Sequence, residues 1–204
     1  MTTLRLVTLS EDELNRKEQW RRRLGSERDA LTERTRTEES RALRTTIIEW
    51  LSETRITTVC AYVPVGSEPG SPELLDSLVA RGHRVLLPVM AGRNPLEWAA
   101  YEGPDSLRRA TYGLLEPSTP HLGAGAISEA GAVLVPALAV DRRGVRLGKG
   151  AGFYDRSLPL ADDSAELAAV VRDSEFVEEL PAEAHDVRVT GVVTPASGFT
   201  RLPV

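Results

Sequence analysis

The chain has 204 residues, 41% of them hydrophobic, which is enough for one domain with a full core and short of two of ordinary size. Its 25 basic and 30 acidic residues leave a net charge of −5. That balance excludes a protein that neutralises many phosphates along a nucleic acid. One cysteine, Cys60, rules out an intrachain disulfide or a cysteine-rich metal cluster. The N-terminus turns acidic before a signal-peptide core is reached, and no apolar run approaches a membrane span. A cytoplasmic protein of one domain, 1–204, is the expectation.

A capping box formed by Ser10 and Glu13 predicts a first helix carrying Leu14, Trp20, Leu24 and Leu31 at helical spacing. A second runs from about Glu38 to Thr54, with Leu43, Ile47, Trp50 and Leu51 as its apolar stripe. Thr57 to Val65 is β-branched and apolar and predicts a buried strand ending in a Gly-containing loop, with Cys60 a small core residue. Pro72 to Arg81 reads as a short helix, and Arg84 to Met90 as a strand, so that strand, helix and strand form a parallel crossover. Leu96 to Tyr101 reads as a further strand with Trp98 as a strand aromatic. Gly103 to Ser128 is rich in Gly and Pro and reads as irregular. Ala132 to Val140 is almost continuously apolar, as expected for one central strand covered on both faces. Later strands fall at Ala168 to Val171 and Val189 to Val193. The alternation predicts a three-layer α/β/α sandwich with a mostly parallel, Rossmann-like sheet.

Chemistry concentrates after the apolar strand, in RLGKGAGFYDR from Arg146 to Arg156. Gly148, Gly150 and Gly152 alternate, and Arg146 and Lys149 make the segment cationic. A glycine-rich loop beyond a strand's C-terminal end can hold phosphate through backbone N–H groups and the following helix N-terminus. The spacing is neither a P-loop nor a dinucleotide fingerprint, so a surface turn stays open as a reading. Tyr154 and Asp155 favour the phosphate reading, because they add an aromatic face and a hard oxygen ligand.

The first helix carries a second cationic feature. At about 100° per residue, Lys17, Arg21, Leu24, Arg28 and Leu31 fall within a sector of about 80°. Three cations therefore share the apolar face. Lys17 and Arg21 should meet carboxylates of the fold or an anionic ligand, unless their stems lie along the apolar face and carry the charge out to water. Lys17 and Lys149 are the chain's two lysines among 25 basic residues.

On these residues the chain resembles the 5-formyltetrahydrofolate cyclo-ligase (5,10-methenyltetrahydrofolate synthetase) family over nearly its whole length. PALAVDRRGVRLGKGAGFYDR, from Pro136 to Arg156, follows the family signature PglAFDxxGxRLGyGgGyYDR. Lys17, Arg21 and Arg28 resemble the family's N-terminal K-x-x-x-R pattern with its later arginine. YVPVGSEPGS, from Tyr62 to Ser71, resembles the substrate loop, and TYGLLEP, from Thr111 to Pro117, another recurring segment.

The resemblance implies an ATP-dependent closure of 5-formyltetrahydrofolate to 5,10-methenyltetrahydrofolate, with Mg²⁺ as cofactor and ATP as co-substrate. Its partners would be those two small molecules, without nucleic acid or membrane, acting on a monomer. Carried over by position, Lys17, Arg21 and the run Arg146, Leu147, Gly148, Lys149, Gly150, Ala151, Gly152, Phe153 and Tyr154 would bind ATP. Val63, Glu68 and Lys149 to Phe153 would bind the folate. Lys17, Arg146, Lys149 and Tyr154 are the candidate catalytic residues, and Asp155 and Asp186 the candidate metal ligands. His185 adjoins Asp186 and could orient it. Val140 and Phe153 depart from the signature's Phe and first Tyr, and Lys149 stands where relatives carry an aromatic residue or arginine. Two other classes stay in play: a nucleotide- or folate-binding regulator without catalysis, and a sugar-phosphate or CoA-ester enzyme on a related sheet.

Overall fold

A computed structural model describes residues 11–92, 94–183 and 186–203. Ser10 and His185 lie outside them, so neither the proposed cap nor the proposed histidine contact is described. The first helix, α1 (Glu11–Asp29), and the second, α2 (Glu33–Ser52), meet at Thr32, whose hydroxyl caps α2 by accepting from the Thr35 N–H. Leu43, Ile47 and Leu51 are the buried stripe of α2. Trp50 instead lies at its edge, stacked on Phe199 with ring centroids 4.2 Å apart.

The strands, in chain order, are β1 (Thr58–Cys60), β2 (Arg84–Val89), β3 (Glu97–Ala100), β4 (Leu107–Arg109), β5 (Leu115–Pro117), β6 (Ala132–Pro136), β7 (Ala139–Asp141), β8 (Arg146–Leu147), β9 (Glu166–Val170), β10 (Phe176–Val177), β11 (Gly191–Thr194) and β12 (Gly198–Arg201). Two further helices are short, α3 (Glu73–Val79) and α4 (Phe153–Ser157). Among the described residues seven strands form the main sheet, in the order β12-β11-β9-β6-β1-β2-β3. The inner pairs are parallel; β3 on one edge and β12 on the other run antiparallel. The expected crossover is present as β1-α3-β2. On one face, α2 and α3 cover Val59, Val85, Leu134 and Val193. On the other, Cys60, Leu86, Trp98 and Val133 pack beneath Ile127 and Leu158. This second cover is made of 3₁₀ turns and the single turn of α4 rather than long helices, so the third layer is thin.

The apolar run expected as one strand is two. Ala132–Pro136 belongs to the main sheet, after which the chain leaves it, and Ala139–Asp141 pairs with β8 and β10 in a small sheet. The expected strand from Thr57 to Val65 is paired only from Thr58 to Cys60, because beyond Cys60 the chain turns away over the sheet's C-terminal edge. The Gly- and Pro-rich excursion contains the β4-β5 hairpin. Leu24 of α1 packs against the small sheet, with Leu138, Val145 and Leu147.

That topology sets where a ligand can enter. From β1 the chain moves outward to β2, whereas β6 lies on the other side of β1 and leads to β9 and β11. The loops leaving β1 and β6 therefore diverge at a switch point, the usual position of a binding crevice in an open α/β sheet. No helix among the described residues is long and apolar enough to cross a membrane.

Candidate active site at the switch point

The second half of the glycine-rich segment owes its placement to the turn before it. Asp141 is fully buried and accepts hydrogen bonds from the N–H groups of Arg143 (2.8 Å), Val145 (2.9 Å) and Leu180 (3.1 Å). Gly144 closes the turn with φ of 80°, and a Cβ there would lie 2.4 Å from the Val189 carbonyl oxygen. Only glycine fits that backbone. The turn brings Arg146 back beside Val140 on the small sheet. The glycine loop thus leaves β8, not the apolar strand itself, and α4 after it has five residues. An anion there would be held by loop N–H groups and cations, with little help from a helix dipole.

The inward face of α1 meets this loop. Lys17 and Arg28 are buried at 7% and 2% exposure, and Arg21 is half-buried. Arg21 Nε donates to the Gly148 carbonyl at 3.1 Å, and a Cβ on Gly150, whose φ is 98°, would stand 3.4 Å from the Arg21 guanidinium carbon. Lys17 Nζ lies 2.8 Å from both Glu183 and Asp186. Burial pulls the Lys17 ammonium down, but hydrogen bonds and charge from Asp186 and Glu183 outweigh it and hold its pKa above the ordinary lysine value. Glu183 joins the candidate residues here; its only mark in the sequence is its position three residues before Asp186.

Arg146 Nη2 donates to Asp155 Oδ1 at 2.6 Å, and its guanidinium carbon stands 5.7 Å from the centre of the Tyr154 ring. Lys149 Nζ reaches Glu68 Oε1 at 2.7 Å, and the other Glu68 oxygen accepts from the Val65 N–H at 2.9 Å. This ion pair joins the loop after β1 to the loop after β8. The Tyr154 hydroxyl is buried and has no hydrogen-bond partner among the described residues, as is true of Arg146 Nε. Burial and then Glu68 push the Tyr154 phenol up while Arg146 opposes them, so it remains a neutral donor at physiological pH. A buried donor without a partner suits a polar ligand atom.

Other expected residues take quieter positions. The Val63 side chain is buried in the core beside Tyr62, and Leu147 packs under α1. Phe153 is half-buried against the second core cluster, with Arg156 over its ring at 5.2 Å; Ala151 is exposed. Trp98 is a fully buried core residue and Cys60 a buried free thiol. His121 pairs with Glu97 at 2.9 Å.

For a divalent ion, the donor set is sparse but of the right kind. No group of three His, Cys, Asp or Glu residues suited to a metal occurs among the described residues. Mg²⁺ bound with a nucleotide uses one or two carboxylates and takes its remaining oxygens from phosphate and water. Asp155 and the Glu183–Asp186 pair supply hard oxygens and already hold cations, Arg146 and Lys17. They fit Mg²⁺ that arrives with phosphates rather than a preformed cage.

Known proteins resemble this chain over most of its length. The model of the 5-formyltetrahydrofolate cyclo-ligase family matches residues 13–195. A 5-formyltetrahydrofolate cyclo-ligase of Mycolicibacterium smegmatis is 52% identical over 195 residues, 91% of this chain and 97% of the relative. One from Escherichia coli strain K12 is 31% identical over 144 residues, 68% of this chain and 78% of the relative. The NMR structure of Aquifex aeolicus 5,10-methenyltetrahydrofolate synthetase matches with a TM-score of 0.74 and 25% identity, covering 92% of this chain and 93% of that one. A 5,10-methenyltetrahydrofolate synthetase from Mycoplasma pneumoniae matches the fold with a TM-score of 0.70 at 17% identity, over 86% and 96% of the two chains. Over nearly all of its length the chain belongs to the 5-formyltetrahydrofolate cyclo-ligase family.

Proposed function

We propose that this protein is a cytoplasmic, ATP- and Mg²⁺-dependent 5-formyltetrahydrofolate cyclo-ligase, with residues 1–204 acting as one catalytic domain. It converts 5-formyltetrahydrofolate to 5,10-methenyltetrahydrofolate and releases ADP and phosphate. The family match over residues 13–195 supports the reaction. At the level of residues, the observation that carries the reading is the 2.7 Å pair between Glu68 and Lys149, which brings the proposed folate loop and the proposed nucleotide loop together at the switch point.

A formamide oxygen is a poor leaving group, so it must first be activated. The formyl oxygen attacks the γ-phosphorus, the bond to the bridging oxygen breaks, and ADP leaves. N10 of the same folate then adds to the formyl carbon and loses its proton. Phosphate departs with the carbon–oxygen bonding pair, leaving the methenyl bridge. Most of the work is positioning and charge neutralisation.

The chain supplies both. Arg146 and Lys149 belong to the glycine loop, Arg21 donates to its Gly148 carbonyl, and with Lys17 on the same face of α1 they would supply cations for the phosphates. The N–H groups from Leu147 to Gly152 can accept close approach because little side chain intervenes. Glu68 can accept a bidentate pair from the amino-pyrimidine edge of the pterin, and the buried Tyr154 hydroxyl offers a donor beside it. Phe153 presents a ring but no hydroxyl, and Val63 shapes the base of the loop. Asp155 and Asp186, with Glu183 beside the latter, would hold Mg²⁺, which when bound offsets charge on the phosphate oxygens.

The test is to mix purified protein with 5-formyltetrahydrofolate, Mg²⁺ and ATP and to follow the methenyl product by absorbance. ATP-dependent product is expected. Its absence at high protein concentration refutes the reading, and ATP binding without turnover would favour a non-catalytic regulator instead.

A further inference from the structure

Among the described residues, a second cluster of charge makes no hydrogen bond or ion pair with those assigned above to ligands. Arg28, Arg172 and Glu175 are each at least nine-tenths buried. Glu175 accepts from Arg28 Nε (2.6 Å) and Nη2 (2.8 Å), and from Arg172 Nη1 (3.3 Å) and the Arg172 N–H (2.8 Å). Arg172 Nε also donates to Glu39 of α2 at 2.7 Å. Two guanidinium groups and two carboxylates balance, so the cluster has no spare charge with which to bind an anion.

What it does hold is backbone on both sides of the crevice. Arg172 Nη1 donates to the Ser67 carbonyl at 3.1 Å, one residue before Glu68. Arg28 Nη2 donates to the Ala137 carbonyl at 2.7 Å, immediately after β6. Glu175 therefore ties the chain leaving β1 to the chain leaving β6. The Glu68 loop is held at two more carbonyls: Pro69 accepts from the Tyr62 hydroxyl at 2.8 Å, and Gly70 from the Ser40 hydroxyl at 2.9 Å. Of these three supports, only the one from Arg172 is charged, and a planar guanidinium that spans two carboxylates cannot swing with the loop.

We propose that Arg172 is a positioning residue for the folate: anchored by Glu175 and Glu39, it fixes the Ser67 carbonyl and thereby the direction in which Glu68 faces the crevice. The proposal rests on the cyclo-ligase reading and on Glu68 as the pterin acceptor. Among the described residues Arg172 bonds to Glu175, Glu39 and Ser67 and to no proposed nucleotide residue, so its effect belongs to one substrate. A purely structural arginine would weaken both.

The experiment is steady-state kinetics of Arg172→Lys and Ser40→Ala with 5-formyltetrahydrofolate and Mg²⁺-ATP varied in turn. Lysine keeps the buried charge but cannot span Glu39, Glu175 and the Ser67 carbonyl together. For Arg172→Lys the KM for 5-formyltetrahydrofolate should rise about five- to tenfold, with the KM for ATP and kcat within about twofold of wild type. For Ser40→Ala, which loses a neutral bond to the same loop, a rise of about two- to threefold in the folate KM alone is expected. An unchanged folate KM in both variants overturns the proposal, and so does a parallel loss for both substrates accompanied by a lower Tm. If Arg172→Lys does not fold, Ser40→Ala decides by the same criterion. Wild-type enzyme without turnover would sink the cyclo-ligase reading itself; wild-type turnover with unshifted folate KM values sinks only the role of Arg172.

Discussion

Replacing Lys17 with methionine removes one ammonium from between two carboxylates and leaves the rest of α1 intact. Its Nζ is 2.8 Å from Glu183 and from Asp186, and the three side chains are 9%, 8% and 12% exposed. Removing one partner from a buried ion pair costs about 3–5 kcal/mol, because the charge left behind has lost its water as well as its partner. Two carboxylates remain here, so the upper part of that range applies at neutral pH. For a chain of this size about 2–4 °C of Tm accompanies each kcal/mol, giving a Tm lower by about 10 °C at pH 7. The pH dependence follows from the raised pKa of Lys17. Its stabilisation is fully present below the unfolded lysine value of about 10.4 and is lost as pH rises through the folded value, so from neutral pH upward the gap between wild type and Lys17→Met should hold until strong alkali and narrow there. Circular dichroism melts from neutral to alkaline pH measure the gap directly. A Lys17→Met Tm within about 2 °C of wild type at pH 7 would refute the claim that Lys17 neutralises a buried carboxylate pair.

Glu68→Ala should raise the KM for 5-formyltetrahydrofolate by about a hundredfold, the loss expected for a charged, bidentate acceptor, with a smaller change in the KM for ATP; equal changes in the two would remove Glu68 from the folate site. Gly144→Ala puts a Cβ 2.4 Å from a backbone oxygen at a φ of 80°, where no flexible side chain can yield. A loss of about 3 kcal/mol is expected, read as a lower urea midpoint at an unchanged m value; wild-type stability would contradict the close approach. Cys60 is fully buried, and burial pushes its thiol well up, with Arg84 opposing and Glu129 adding weakly. It should react with a thiol reagent only as fast as the protein opens, and fast labelling of the native state would count against its place in the core.

Some of this architecture is legible in the sequence and some is not, for physical reasons. The inward cations of α1 follow from 3.6-residue periodicity, and Lys17, Arg21 and Arg28 do point inward. Their partners do not follow, since Asp186 is 169 positions from Lys17 and Glu175 is 147 from Arg28. Apolar content marks Ala132 to Val140 as buried, yet cannot reveal that the chain changes sheets after Pro136, because both halves are covered. β12 escapes the same test: Gly198–Arg201 is short, half polar and on an edge, so it lacks the hydrophobic run that marks its parallel neighbours. The signature around Asp141 divides in two. Asp141 and Gly144 make the turn, and Arg146 to Asp155 carry the residues proposed for the ligands. A pattern of letters carries both parts but does not say which is which. Arg172 and Glu175 belong to no motif, and only their bonds to Ser67 and Arg28 show what they hold.

The charges of the crevice also explain how a protein of net charge −5 can receive an anionic nucleotide. On the proposed reading, the lysines and Arg146 that meet phosphate are each already paired: Lys17 with Glu183 and Asp186, Arg146 with Asp155, and Lys149 with Glu68. Pairing keeps long side chains in place before the ligand arrives, but phosphates must then displace carboxylates. ATP alone would strand Asp155 and Asp186 without cations, whereas Mg²⁺ entering with it gives them a replacement. The exchange nearly preserves the number of ion pairs. Lys149 differs, because the carboxylate it releases is the proposed pterin acceptor. Drawing Lys149 onto phosphate therefore frees Glu68, and nucleotide and folate should bind with positive coupling of about five- to tenfold, equal in both directions by linkage. Isothermal titration of 5-formyltetrahydrofolate with and without a non-hydrolysable ATP analogue and Mg²⁺ measures it. The coupling should vanish in Lys149→Met, whose Glu68 is free from the start; undiminished coupling in that variant would show that the two substrates communicate by some route other than the Glu68–Lys149 pair.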